Sequence, residues 1–168
     1  MIPVIDITPL VMQDKKRDGT INEIRDACEA VGFFYVMGHG ISRDAQAKIL
    51  AIAKEFFALP EDIKRTADVA KSRCFRGYVP FALTGPSVPK RMLEAFQMML
   101  DLGSDDPDVA AGNIMYGASQ WPEGAARMRT ILEEYYKEME KLSDHLLLAF
   151  ALALEEEPRF LHSISKNL

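Results

Sequence analysis

The sequence lacks the features that mark several large protein classes. Its two cysteines, Cys28 and Cys74, are too few for a disulfide framework and have no zinc-ligand spacing. We therefore expect reduced thiols in a cytoplasmic protein. The first residues, Met1 to Asp6, lack the basic segment of a secretory signal. The longest purely apolar run, Leu146 to Leu154, is about half as long as the ~20 residues of a membrane span, so we expect no membrane partner.

An excess of positive charge is also missing. The 168 residues carry a formal net charge of -5, with 27% charged and 48% hydrophobic residues. These proportions are ordinary for a globular protein, and the negative balance argues against a nucleic-acid partner. The length suits one domain over residues 1–168 with a sizeable core. We find no repeat, low-complexity stretch or linker that would predict a second domain.

Common nucleotide and hydrolase motifs are absent as well. The chain has no P-loop and no Gly-x-Ser-x-Gly elbow. Gly38-His39-Gly40 precedes a predicted helix, but Arg43 stands where a dinucleotide fingerprint has its third glycine. We therefore do not expect a nucleotide cofactor at this turn.

The clearest positive feature is a strand, a turn and a helix between residues 31 and 58. The run Phe33–Met37 is aromatic and aliphatic, which predicts a short buried interior strand. Gly38 and Gly40 permit a sharp turn. Ser42 can then cap a helix from Arg43 to about Ala58.

The remaining elements follow from periodicity and end signals. Thr20-Ile21-Asn22-Glu23 has the form of a capping box, which predicts a helix from Thr20 to Gly32. Local propensity favours a helix over Arg91 to Leu102. The other predicted elements are strands at Ile2–Ile7 and around Gly77-Tyr78, loops at Leu83–Pro89 and Gly103–Gly117, and helices at Ala125–Leu154 and Arg159–Ser165.

Seven short motifs occur in order along the chain. They are Pro3-Val4-Ile5-Asp6, Cys28-Glu29-Ala30-Val31-Gly32-Phe33-Phe34, Gly38-His39-Gly40-Ile41, Phe56-Phe57-Ala58-Leu59-Pro60, Gly77-Tyr78-Val79-Pro80, Glu94-Ala95-Phe96 and Trp121-Pro122. Together they closely resemble the N-terminal region of the isopenicillin N synthase-type Fe(II)/2-oxoglutarate-dependent oxygenases. The resemblance covers nearly the whole chain, but only about the first half of a usual family member. It favours a strand, not a helix, around Ala95 to Leu100, and we adopt the strand.

The resemblance implies an α+β fold with a specific role. N-terminal helices and a few strands would buttress a double-stranded β-helix, or jelly roll, with the catalytic half absent from this chain. The helix Ala125–Leu154 would be the main buttress. The parent enzyme would use Fe(II) and 2-oxoglutarate to oxidise a small-molecule substrate.

The residues that would hold these cofactors are not in the sequence. An iron site of this family uses two histidines and one carboxylate, with a His-x-Asp or His-x-Glu signature. None of His39, His145 and His162 has a carboxylate two residues later, and no arginine begins the family's Arg-x-Ser motif. We therefore expect no metal ligand and no catalytic residue here, and no cofactor bound by this chain alone. His39 is better explained as a residue that bonds the backbone of its own turn.

Three residues are candidates for contact with substrate. In the family, the loop around Gly-Tyr-x-Pro and the strand around Glu-x-Phe run beside the mouth of the active site, which implies substrate-binding roles for Arg76, Tyr78 and Phe96. Arg76 could pair with a substrate carboxylate. The alternative is that Tyr78 and Phe96 belong to the core and that Arg76 forms a surface ion pair.

Three functions fit these observations. The chain is the N-terminal part of a longer oxygenase, a free-standing binding or dimerisation module without catalysis, or one chain of a split oxygenase. The expected partner is accordingly the missing C-terminal β-helix half or a second copy of the chain.

Overall fold

A computed structural model describes residues 1–81 and 93–165, which form short strands and mostly helices. The strands are Val4–Asp6 (β1), Tyr35–Met37 (β2), Gly77–Val79 (β3) and Ala95–Gln97 (β4). The helices are Thr8–Val11 (α1), Arg17–Ala30 (α2), Arg43–Phe57 (α3), Glu61–Lys64 (α4), Pro107–Ala110 (α5), Ala126–Ala153 (α6) and Phe160–Ser165 (α7), with 3-10 turns at Arg65–Ala67 and Val69–Lys71. The chain divides into two compact units, Met1–Ile49 with Leu132–Leu168 and Leu50–Ile131.

The first unit is built on a two-stranded parallel sheet. Strands β1 and β2 pair with Ile5 opposite Val36, so these two side chains share one face of the sheet. That face packs on a hydrophobic core supplied by α1, α2 and the second half of α6. The buried members of this core are Ile5, Ile7, Leu10, Ile21, Ile24, Ala27, Leu142 and Ala149.

Helix α2 begins one turn earlier than the sequence predicted. It starts at Arg17, and Thr20 lies inside the helix, where its hydroxyl donates to the backbone oxygen of Asp6 at 3.4 Å. The capping-box prediction at Thr20 is therefore wrong. The other end agrees with the prediction: Gly32 has a φ of +87°, and its N–H donates to the oxygen of Ala27 at 3.0 Å, as expected of a glycine that ends a helix.

Strand β2 is not an interior strand among the described residues. Phe33, Tyr35 and Met37 are 60%, 61% and 53% exposed. Only the alternate residues pack inward, and the Phe34 ring meets the Phe150 ring edge to face at 6.4 Å between centroids. The prediction of a buried strand was wrong. The composition of the run shows that both faces of the strand are apolar, but it does not show whether other parts of the chain pack against both.

The second unit contains the other sheet and an aromatic cluster. Strands β3 and β4 are antiparallel, with Tyr78 opposite Phe96, which confirms the predicted strand over the helix that local propensity favours. Gly77 has a φ of +108°, and a Cβ there would collide with the backbone oxygen of Ala67. This close approach explains why glycine begins β3.

The C-terminal helices agree closely with their predicted bounds. Helix α6 covers Ala126–Ala153 against a predicted 125–154, but only part of its apolar end is fully buried, and Leu154 stays exposed. Helix α5 adds one turn inside the predicted loop 103–117, where the Asp106 side chain accepts from the N–H of Asp108 at 2.9 Å. The predicted loop Leu83–Pro89 lies outside the described residues. No helix in the described part of the chain is long and apolar enough to cross a membrane.

We predict that Phe56→Ala destabilises the protein strongly. Phe56 is 2% exposed and its ring contacts Phe57, Tyr78 and Phe96, so the truncation removes packing and leaves a cavity worth about 3–5 kcal/mol in the free energy of unfolding. Urea unfolding monitored by circular dichroism measures the loss. Leu50→Ala is the control, because Leu50 lies on the same helix and is 63% exposed. Equal midpoints for the two variants would contradict the prediction.

Candidate functional site

A buried carboxylate joins three elements of the second unit. The Glu94 Oε2 atom accepts from Lys64 Nζ at 2.6 Å and from the Tyr78 hydroxyl at 2.7 Å. The Lys64 and Glu94 side chains are only 8% and 16% exposed. Lys64 Nζ also donates to the backbone oxygen of Phe57 at 3.3 Å and lies 5.1 Å from the centre of the Tyr78 ring. Each charge is thus paired and hydrogen-bonded, as burial requires.

The contacts among Glu94, Lys64 and Tyr78 shift the pKa of all three side chains. Burial is the largest single influence on Glu94 and raises its pKa, but the hydrogen bonds from Lys64 and Tyr78 outweigh burial and hold the pKa below its ordinary value. The hydrogen bond to Glu94 is the main cause of a raised pKa at Lys64. Burial, followed by the hydrogen bond to Glu94, raises the pKa of Tyr78. Glu94 is therefore an anion and Tyr78 a neutral donor at neutral pH.

Aromatic rings pack beside this carboxylate. Phe96 lies 5.1 Å from Phe56 and 5.6 Å from Trp121 between ring centroids. The Arg129 guanidinium lies 5.7 Å from the centre of the Trp121 ring. The indole N–H of Trp121 is buried without an acceptor among the described residues. The cluster, here called the aromatic wall, is apolar, and Phe96 within it is partly accessible.

Arg76 is a buried cation, not a surface one. It is 2% exposed, and Nη1 donates to the backbone oxygen of Cys74 at 3.1 Å and to the sulfur of Met99 at 2.8 Å. Nη2 donates to the backbone oxygen of Met115 at 2.9 Å, whereas Nε has no acceptor among the described residues. The expected alternative, a surface ion pair at Arg76, is therefore wrong.

A cleft of about 560 Å³ lies in the same unit. Its lining includes Ser72, Arg73, Cys74, Asn113, Tyr116 and Gln120. Cys74 is buried, and its thiol lies 3.4 Å from the Ser72 hydroxyl. The Gln120 side-chain amide, which lines the cleft, donates to the backbone oxygen of Arg76 at 2.9 Å. This hydrogen bond connects the cleft lining to the residue before β3.

The histidines do not assemble a metal centre. His39 Nδ1 accepts from the N–H of Ile41 at 3.1 Å, which agrees with its predicted role in the turn. His162 Nδ1 lies 3.2 Å from a carboxylate oxygen of Asp144, and His145 is half-buried on α6. Within residues 1–81 and 93–165, no group of three or more His, Cys, Asp or Glu side chains could hold a metal ion. The described residues thus do not fit an iron site.

Comparison with known sequences identifies the family. A family profile described as "non-haem dioxygenase in morphine synthesis N-terminal" matches residues 2–124. The chain belongs to this family. Among curated relatives of the non-haem dioxygenase region, the 2-oxoglutarate-dependent dioxygenase citB of Monascus ruber is 36% identical over 99% of this chain and 52% of its own length. Homoarginine-6-hydroxylase 2-ODD-C23.1 of Arabidopsis thaliana is 33% identical over 94% of this chain and 49% of its own length.

Solved structures give the same fold. A Caulobacter crescentus protein assigned to the 2OG-Fe(II) oxygenase family superposes with a TM-score of 0.77 at 23% identity, over 96% of this chain and 51% of that one. The rice dioxygenase for auxin oxidation superposes with a TM-score of 0.62 at 26% identity, over 92% and 46%. The non-haem dioxygenase region described here therefore spans about half the length of the relatives it matches.

The three residues predicted to meet substrate lie in one unit. Tyr78 and Phe96 pair across β3 and β4, and Arg76 immediately precedes β3. Lys64 was not predicted as a member of this group. It lies 30 residues from Glu94 in the chain, and a lone lysine on a short helix has no sequence signal that would indicate burial.

We predict that Glu94→Gln costs about 3 kcal/mol in the free energy of unfolding at pH 7, because it leaves the Lys64 ammonium buried without a countercharge. The depressed pKa of Glu94 stabilises the fold above the unfolded value of about 4.3. This stabilisation is lost as the pH falls through the folded pKa, so the difference between wild type and variant shrinks on acidification. Urea titrations from pH 7 to pH 3 measure it.

The matched control is Glu61→Gln. Glu61 forms an exposed ion pair with Arg65 at 2.6 Å, and exposed pairs contribute less than about 1 kcal/mol. If both glutamine variants cost the same free energy at pH 7, the pair between Lys64 and Glu94 does not stabilise the second unit as described.

Proposed function

We propose that this chain is the N-terminal part of a non-haem Fe(II)/2-oxoglutarate-dependent oxygenase that oxidises a small molecule in the cytoplasm. The iron-binding half, a double-stranded β-helix, is then supplied outside the chain. Membership of the family and coverage of only half the length of the curated relatives support this proposal. The relatives include enzymes named clavatol oxidase and homoarginine-6-hydroxylase, so the family accommodates different small substrates.

The observation that carries the proposal is the uncovered outer face of the first sheet. Val4 and Tyr35 are paired across β1 and β2, and both are exposed, as are Phe33 and Met37. A two-stranded sheet is marginal by itself in water, and its open strand edges can pair with further strands. A β-helix that covers this apolar face and adds strands to its edge would satisfy both requirements. Residues 1–168 would then act as one domain that buttresses it.

The second unit would contribute to the substrate side. Phe96 offers a partly accessible ring on the aromatic wall, and Tyr78 packs beside it from the opposite strand. The Tyr78 hydroxyl is already bonded to Glu94, so Tyr78 would shape the site instead of donating to substrate. Arg76 would supply a polar contact to the substrate.

The gene sequence beyond the codon for Leu168, together with the mass of the purified natural protein, tests the proposal. We expect a continuous reading frame with a His-x-Asp or His-x-Glu motif and a second distant histidine. A stop codon with a separate partner that carries the triad would instead indicate a split oxygenase. A stop codon and a protein that works without any such partner would indicate a binding or dimerisation module and would overturn the proposal.

We predict that the 168-residue chain alone forms no stoichiometric Fe(II) site with 2-oxoglutarate, because its histidines are not followed by the required carboxylate. Anaerobic titration with Fe(II) and 2-oxoglutarate, followed by visible absorption, should show no metal-to-ligand charge-transfer band. The parent protein, treated identically, should show one. A band from the short chain would contradict the prediction.

We also predict that the isolated chain self-associates at micromolar concentration through the outer face of its first sheet. The exposed apolar residues Phe33 and Tyr35 form part of a patch that soluble monomers seldom expose. Sedimentation velocity measures the association. The double variant Phe33→Ser, Tyr35→Ser should shift the chain toward monomer, whereas the control Leu50→Ser, an exposed residue in the second unit, should not. A wild-type chain that is cleanly monomeric would argue for a complete module.

A further inference from the structure

Arg76 is buried without a countercharge. No described carboxylate forms an ion pair with it, and three acids of the second unit have other partners. Glu94 pairs with Lys64, Asp68 with Arg65, and Asp101 with Arg129. The stretch 82–92 contains no aspartate or glutamate in its sequence. Since a buried cation is destabilising unless an anion neutralises it, the second unit leaves one negative charge to be supplied.

Some of the N–H donors of the Arg76 guanidinium have no acceptor among the described residues. A guanidinium has five N–H groups, and the described residues accept three contacts, at the backbone oxygens of Cys74 and Met115 and the sulfur of Met99. The Nε–H group is buried and has no acceptor among them. Nε and Nη2 form one edge of the guanidinium, the geometry that receives both oxygens of a carboxylate.

Met99 occupies a position suited to a stronger acceptor. Its thioether sulfur is a weak acceptor, yet it is the atom that contacts Nη1 of this buried cation. Met99 is also 46% exposed, and its unbranched side chain has three rotatable bonds. A rotation of this exposed side chain into solvent would open a path to the guanidinium.

We propose that Arg76 is a carboxylate-binding residue and that Met99 is a displaceable cover over it. Once the sulfur has moved away from the guanidinium, a carboxylate accepts hydrogen bonds from the unfilled donors on Nε and Nη2. The carboxylate belongs either to a small-molecule ligand or to an aspartate or glutamate of the companion half. That the ligand is the substrate rests on the proposed function, whereas its chemical class rests on the surroundings of Arg76.

The test follows the arginine Nε–Hε resonances of the ¹⁵N-labelled chain, in the Phe33→Ser, Tyr35→Ser background that favours the monomer, during titration with benzoate at constant ionic strength. Benzamide, which has the same ring and no charge, is the matched control. We expect one resonance, assigned to Arg76 through its bonds and by its loss in Arg76→Lys, to shift saturably with benzoate and not with benzamide. If Arg76→Lys does not fold, the through-bond assignment alone identifies the resonance. Arg73→Lys, at an exposed neighbour, should retain the response.

Two variants test the cover. Met99→Ala removes it and should bind benzoate severalfold more tightly than wild type, whereas Met99→Leu keeps an apolar cover and should bind as wild type does. Absence of any saturable response specific to benzoate, in both the wild type and Met99→Ala, overturns the proposal. An equal response to benzamide also overturns it.

The same titration on the parent protein without metal separates the two sources of the carboxylate. If the ligand is a small molecule, benzoate still shifts the Arg76 resonance. If the companion half provides the acid, that resonance is already displaced and benzoate no longer moves it. Both results retain the carboxylate site. Neither readout uses iron or turnover, so failure of the charge-transfer band in the parent protein would refute the proposed function without affecting this test.

Discussion

The second unit depends on one buried carboxylate. Glu94 directly precedes β4. Its side chain accepts hydrogen bonds from Lys64 on α4 and from Tyr78 on β3, so it connects the start of β4 to a helix and to the neighbouring strand. Two buried charges are tolerated only when they neutralise each other and their hydrogen bonds are filled. This requirement fixes where β4 lies against β3, and the aromatic wall of Phe56, Phe96 and Trp121 is assembled around that arrangement.

The first unit is governed by a different constraint, the alternation of side chains along a strand. In β2 and the residue before it, Val36 and Phe34 pack on the core while Tyr35 and Met37 face away from it. Two paired strands bury one face of apolar residues and leave the other uncovered. A run that is apolar on both faces is typical of a strand with protein on both sides, and this pattern is the basis of the proposal that further protein covers the outer face.

Arg76 shows how far the candidate site could be predicted. Its position beside the Gly77-Tyr78 motif marked it as a candidate for substrate contact. In the structure Arg76 is buried, and its Nε–H group has no acceptor among the described residues. The sequence could not show that the Met99 sulfur contacts Arg76, because the two residues are 23 positions apart and a methionine near a strand has no sequence signal for such a contact. Lys64 was missed for the same reason.

The amino-acid sequence was enough to predict the turn at Gly38 and Gly40, the cap at Ser42 and the bounds of α6 within one residue. The order of its short motifs was enough to indicate the family and the strand at Ala95–Gln97. The turn, the cap and the helix depend on residues close together in the chain, where backbone preference, capping and helical period act directly. Three features became clear only from the folded structure: α2 starts at Arg17, Phe33 and Tyr35 are exposed, and Arg76 and Lys64 are buried. Each of these outcomes depends on contacts between distant parts of the chain, and such contacts override local preference because they change burial and hydrogen bonding by more free energy than propensity does.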